Sequence, residues 1–244
     1  MEYIKVFAFI PRRKDITSQA FHDHWRHPHA TWGKQMQHIR RYLQNHQIST
    51  ELLGAEQNRY EGIAEAWFES VEQAAAFGSD PTYKMHIGPD ESHFIERDNL
   101  TYLAVTEEVL APARDVRDPD KPDTLWSPWR APVSIKLFQV FLQNHDSAWA
   151  RSEDAGLGDQ LRALRHVRCL PIDALNPPEG TRFVGLREMW WPTLSAFFDG
   201  ANASREAWDT LFGHRRNTLL ILTQSELGHD HISSTASVTA TARN

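Results

Sequence analysis

Four histidines within eight residues, His22, His24, His27 and His29, form the densest group of chemically competent side chains in this 244-residue sequence. Imidazole supports two chemistries: it carries protons in the neutral range, and its neutral form ligates transition metals. A metal centre needs about three ligands converging on one point. The stretch from Thr17 to Gln37 has helical spacing, with Asp15 or Thr17 as its cap. On a continuous helix only His22 and His29 share a face, and His24 points ~140° away from His29. His86, His93, His229 and His231 are scattered in loops or near the tail. The spacing therefore argues against a metal site. His29 stands at the edge of the apolar stripe of Phe21, Trp25, Trp32 and Met36, where it is either a proton carrier or a packing histidine.

A second set comes from strand alternation. In the run Tyr3 to Ile10, the aliphatic positions Ile4, Val6, Ala8 and Ile10 suit a face under helices, which leaves Lys5, Phe7 and Phe9 inside. Ile63, Glu65 and Trp67 share a face in the same way. Lys5 is expected to meet Glu65, and Lys136 to meet Glu188. A Lys–Glu pair facing an aromatic cavity can act as acid and base, or it can neutralise two inward charges as a structural pair. Recurrence of the pair favours the structural role.

These residues sit on elements that occur twice. Ile4-Lys5-Val6-Phe7 resembles Ile135-Lys136-Leu137-Phe138, and His38-Ile39-Arg40 resembles His166-Val167-Arg168. Ile63 to Trp67 resembles Leu186 to Trp190, and residues 100–110 resemble 217–227. The offsets fall in order, from 131 through 128 and 123 to 117. Each segment reads as a strand. A long helix follows the first strand, and a short one, Ser70 to Phe77 with its copy Thr193 to Phe198, follows the third. The order β-α-β-β-α-β is the ferredoxin-like split unit. The sequence thus predicts an α+β fold with repeats over 1–110 and 133–228, a proline-rich linker over 111–132 and a disordered tail over 229–244.

Hydrophobic residues make up 41% and charged residues 24%, which suits a packed soluble fold, and the net charge of −6 disfavours nucleic acid or an anionic membrane. No apolar run reaches the length of a membrane span, and the N-terminus reads as a strand rather than a secretory signal. The single cysteine, Cys169, reads as a buried thiol in a reducing compartment, so a cytoplasmic location is expected. No glycine-rich phosphate loop, dinucleotide fingerprint or nucleophile elbow is present.

The stretch Phe21-His22-Asp23-His24-Trp25-Arg26-His27-Pro28-His29-Ala30, followed by Tyr42, resembles the EthD family, with Phe21, Trp25, His29 and Ala30 at the motif positions. The second half keeps the strand pattern but not this motif, so it looks like a diverged copy. The resemblance implies a dimeric α+β barrel, closed here within one chain. It also implies an enzyme working without a cofactor on an aromatic or polycyclic small molecule, and no haem-peroxidase motif appears. The implied chemistry is a lyase step losing water or a small carbonyl fragment such as formaldehyde. Isomerisation, cyclisation and simple apolar-ligand binding are the alternatives, and a homodimer is compatible with all of them. In this reading His29 moves the proton, and Tyr42 or the Lys5/Glu65 pair stabilises developing charge. Trp25, Trp67, Trp190, Phe7 and Phe138 hold the substrate inside the barrel, and no metal takes part.

Overall fold

A computed structural model describes residues 3–110, 129, 133–143, 149, 154–176, 183–213 and 216–232. Eight strands close into one antiparallel barrel within the single chain. They are β1 (Ile4–Ile10), β2 (Arg41–Gln47), β3 (Gly62–Phe68), β4 (Thr101–Val109), β5 (Val133–Leu142), β6 (Arg165–Pro171), β7 (Phe183–Trp191) and β8 (Thr218–Asp230). Around the barrel the order is β1-β3-β2-β8-β5-β7-β6-β4. The four strands of the first half therefore run β4-β1-β3-β2 and those of the second half β8-β5-β7-β6, with seams at β2–β8 and β4–β6.

Strand alternation sorts the side chains as the sequence predicts. Phe7, Phe9, Ile63, Leu103, Phe138, Val167, Leu186, Trp190 and Ile221 fill the barrel interior. Ile4, Tyr42, Phe68 and Met36 form an outer layer under the first-half helices, and Ile135, Met189, Trp191 and Leu222 do the same for the second half.

The expected helix from Thr17 to Gln37 is not continuous. Thr17 caps α1 (Ser18–His24) by accepting from the amide of Ala20 (3.1 Å). A wide turn, Trp25–His29, follows, in which His27 is extended (φ −151°, ψ 122°), and α2 (Ala30–Gly33) is a single turn. Pro28 has no N–H to extend the helical ladder, and the residue before a proline is pushed towards extended backbone. The short helix expected over Ser70 to Phe77 is present as α3 (Val71–Ala76), capped by Ser70. A turn over Tyr83–Ile87 leads into α4 (Gly88–Glu91). The second half has α5 (Asp154–Gln160), α6 (Leu194–Ala203), capped by Thr193, and α7 (Arg205–Phe212).

Two of the sequence matches need correction. In the barrel Arg41 lies opposite Trp67 and Arg165 opposite Trp190, so β2 corresponds to β6 with an offset of 165 − 41 = 124, not 128. The His-x-Arg likeness is a coincidence of composition, and the residue equivalent to Tyr42 is His166. On β4 and β8, Leu103 and Ile221 lie opposite Phe7 and Phe138, an offset of 118 rather than 117. A slip of one residue exchanges the faces of a strand. Strand β8 runs two residues past the expected boundary at 228 and pairs with β2. The linker expectation lies outside the described residues except at Trp129, and the tail beyond Ile232 lies outside them altogether.

Candidate functional site

Inside the barrel the two expected ion pairs fuse into one cluster. Lys5 Nζ lies 2.5 Å from Glu65, 2.6 Å from Glu188 and 3.1 Å from Glu107. Lys136 bridges to Glu65, and stands 3.9 Å from Glu188. Both lysines, Glu65 and Glu188 are fully buried. The two glutamates differ because their neighbours differ. Burial disfavours ionisation of Glu65, but the charges of Lys136 and Lys5 outweigh it and hold the carboxyl below its ordinary range. Asn45 adds a hydrogen bond (2.7 Å). At the equivalent place beside Glu188 stands Cys169, and burial pushes Glu188 up to about 7. Burial also opposes ionisation of Glu107, yet Lys5, Arg165 and the Trp67 indole N–H (2.8 Å) bring it to about 2. Cys169 is buried with its thiol pushed up by burial, as the sequence reading expects of an inert cysteine.

His29 lies on the other side of the sheet. It borders a cavity of about 60 Å³ between the outer face of the first-half sheet and the helices above it. Ala8 and Ala64 make the floor, Trp25, Met36, Tyr42 and Phe77 contribute walls, and Glu91 and Tyr102 sit at the polar side. His29 Nδ1 is 2.8 Å from Asp90 Oδ2, and the ring meets Phe94 edge-on. A carboxylate there accepts the Nδ1–H, which leaves the lone pair on Nε2. The Nδ1 contact is the one side-chain hydrogen bond of His29 among the described residues. Burial opposes ionisation of Asp90, and hydrogen bonds from His29 and His24 more than offset it. Burial pushes Tyr42 up to about 12, so its hydroxyl stays protonated. Gln44 donates to that hydroxyl (3.2 Å) and to the Trp25 carbonyl (2.8 Å), tying β2 to the turn that carries His29.

The second half has filled the matching space. Ala8 faces Ala64 across β1 and β3, whereas Gln139 faces Arg187 across β5 and β7. Arg187 donates to Gln139 (2.5 Å) and the Trp149 carbonyl (2.8 Å) and pairs with Asp154. The two halves still share one contact. A Cβ on Gly62 would lie 2.3 Å from the Trp25 ring, and one on Gly185 would lie 2.4 Å from the Trp149 ring. Trp149 is thus the counterpart of Trp25, and that register sets Glu153, outside the described residues, against His29.

The structure therefore divides the sequence-predicted residues into two places. His29, Tyr42 and Trp25 meet at the outer cavity. Lys5, Glu65, Phe7, Phe138 and Trp190 lie in the barrel interior, where Phe7 and Phe138 meet edge to face at 6.1 Å. Trp67 lines a separate recess of about 170 Å³ at the barrel mouth with Arg41 and Glu107. The expectation of one pocket inside the barrel holding all of them is corrected, because residues of opposite parity on a strand cannot face the same space. Asp90 and Glu91 were missed by the sequence reading. Burial raises Glu91, which accepts from the Tyr83 hydroxyl (3.1 Å). Both sit on a one-turn helix without periodic pattern, and nothing in the local sequence marks them.

The fold places the chain among closed α+β barrels. Crystallography of an anthrone oxidase-like protein shows the same architecture, at 10% identity, a TM-score of 0.51 and 95% coverage of both chains. An EthD-family protein from Bacillus halodurans C-125 matches at 18% identity over 42% of this chain and 95% of its own, with a TM-score of 0.35. A chlorite dismutase variant from Candidatus Nitrospira defluvii matches at 12% identity over 92% and 91%, with a TM-score of 0.44. Residues 13–98 match the EthD domain, and that segment bears Phe21, Trp25 and His29. No curated protein matches the sequence. Among the described residues no helix is long and apolar enough to cross a membrane.

Proposed function

We propose that this protein is an enzyme that binds an aromatic small molecule between the first-half sheet and its helices and moves a proton on it with His29. The observation that carries this reading is the cavity: a histidine with one nitrogen fixed by a carboxylate, a neutral tyrosine hydroxyl and an alanine floor that the other half has filled. With Nδ1–H held by Asp90, Nε2 takes a carbon-bound proton and returns it to the departing hydroxide in loss of water, or takes the hydroxyl proton of a carbinol and returns it to the carbon left behind as the carbonyl fragment departs. The Tyr42 hydroxyl donates to the oxygen on which negative charge develops. Loss of water, or release of a small carbonyl fragment such as formaldehyde, completes a lyase step that uses no cofactor. The same transfer without loss is an isomerisation.

A cavity of about 60 Å³ is well below the ~300 Å³ of a drug-sized site. A ring system therefore enters by displacing the cover, which is built from short turns over 77–79 and 83–91. The name of the anthrone oxidase-like relative supports a flat aromatic ketone or phenol as the substrate class. The repeated strand order supports an origin as two ferredoxin-like units, and barrel closure within one chain leaves no need for a second copy. The lone buried thiol supports a cytoplasmic setting.

The test is turnover on a panel of hydroxylated aromatic ketones. His29→Gln is expected to lower kcat at least ~10²-fold while the melting temperature stays within a few degrees. A His29→Gln enzyme of normal rate would overturn the assignment.

A further inference from the structure

We propose that His24, Asp90 and His93 form a binding site for one divalent transition-metal ion. Helical spacing argues against a metal centre built from the clustered histidines alone, and this site takes only one of them. His24 ends α1 facing α4, and the extended backbone at His27 brings His29 beside it. There they meet Asp90. His24 Nε2 lies 3.0 and 3.1 Å from its two carboxylate oxygens, and His93 Nδ1 lies 3.6 Å from Oδ1. The ligand atoms of all three residues fall within 4.8 Å of one another.

Those separations suit a common metal. Bonds of 2.0–2.1 Å in a tetrahedron place neighbouring ligand atoms about 3.3 Å apart, and the observed contacts of 3.0 and 3.6 Å bracket that edge. Two imidazoles and one carboxylate select zinc or a similar late first-row ion over calcium or magnesium, which take oxygen ligands. Three protein ligands leave a fourth position for water. The His93 side chain is 68% exposed and His24 28%, so the site opens to solvent. Asp90 Oδ2 stays hydrogen-bonded to His29 (2.8 Å), the outer contact that orients a ligating carboxylate. His93 Nδ1 also contacts the Asp90 carbonyl (3.1 Å) and gives up that bond to reach the ion. An ion held here clamps the end of α1 to α4 at the rim of the cavity, and it does so whatever reaction the cavity supports.

Untagged full-length protein, freed of metal by chelator and dialysis, would be titrated calorimetrically with zinc, and with cobalt to read four-coordinate geometry from its visible bands. The wild type is expected to bind one equivalent, with a rise in melting temperature. His93→Ala alters an exposed side chain, folds normally, and is expected to weaken binding at least ~10-fold, as is His24→Gln. No saturable binding by the wild type, or equal affinity in His93→Ala and in the His24→Gln/His93→Ala double variant, would overturn the assignment.

Discussion

Replacing Glu188 by glutamine removes the one carboxylate of the barrel cluster that the fold holds above its ordinary range. Two lysines face three glutamates there, and Glu65 and Glu107 take most of the available donors. Glu188 has Lys5 at 2.6 Å, but Lys136 only at 3.9 Å, and its Oε2 makes no hydrogen bond. Burial lifts it from 4.5 to about 7. Its neutral form is therefore the one the fold prefers. Between pH 4.5 and 7 the folded chain binds more protons at this site than the unfolded chain, so its contribution to stability is complete below pH 4.5 and is lost as pH rises through 7. At 1.36 kcal/mol per unit, the loss by pH 8 is on the order of 3 kcal/mol. Glutamine mimics the neutral acid at every pH. Urea unfolding of wild type and Glu188→Gln at pH 5 and pH 8 reads the difference directly. The variant is expected to gain about 3 kcal/mol on the wild type between the two pH values. An identical stability difference at both would refute the assignment of Glu188 as the strained member.

Glu65→Gln should behave oppositely, costing about 3–5 kcal/mol in urea unfolding at pH 7, because it takes the nearest carboxylate charge from the buried Lys136 and Lys5. Ala64→Leu places a branched side chain on the cavity floor and should weaken binding of an aromatic probe at least ~10-fold by fluorescence titration, with the unfolding transition still cooperative. Gly62→Ala sets a Cβ 2.3 Å from the Trp25 ring, so it should cost about 1–3 kcal/mol and shift the tryptophan emission.

Much of the fold was legible because its signals are periodic. The strand faces of Ile4 to Ile10 and Ile63 to Trp67 follow from alternation alone, Thr17 announces the first helix as its cap, and short helices are expected where Ser70 and Thr193 cap α3 and α6. The site was legible in part. The motif named Trp25, His29 and Tyr42, but parity had to be followed across two strands to see that Tyr42 and Glu65 face opposite sides. Asp90, the partner that fixes His29, is 61 residues away and lies on an element too short to have a pattern. The break at His27 and Pro28 decided where His29 lies relative to His22 and His24, and a helical wheel cannot represent it. Repeat alignment by residue likeness also failed where pairing decides the register, as the true partner of Tyr42 shows.

The central claim is that ligand binds outside the barrel, under the first-half helices and against His29. A crystal structure of the protein with a bound hydroxylated aromatic ketone tests it most directly. The ring is expected over Ala8 and Ala64, with its oxygen towards His29 and Tyr42, and no second copy over Gln139 and Arg187. Ligand lodged inside the barrel between Trp67 and Trp190 would contradict it.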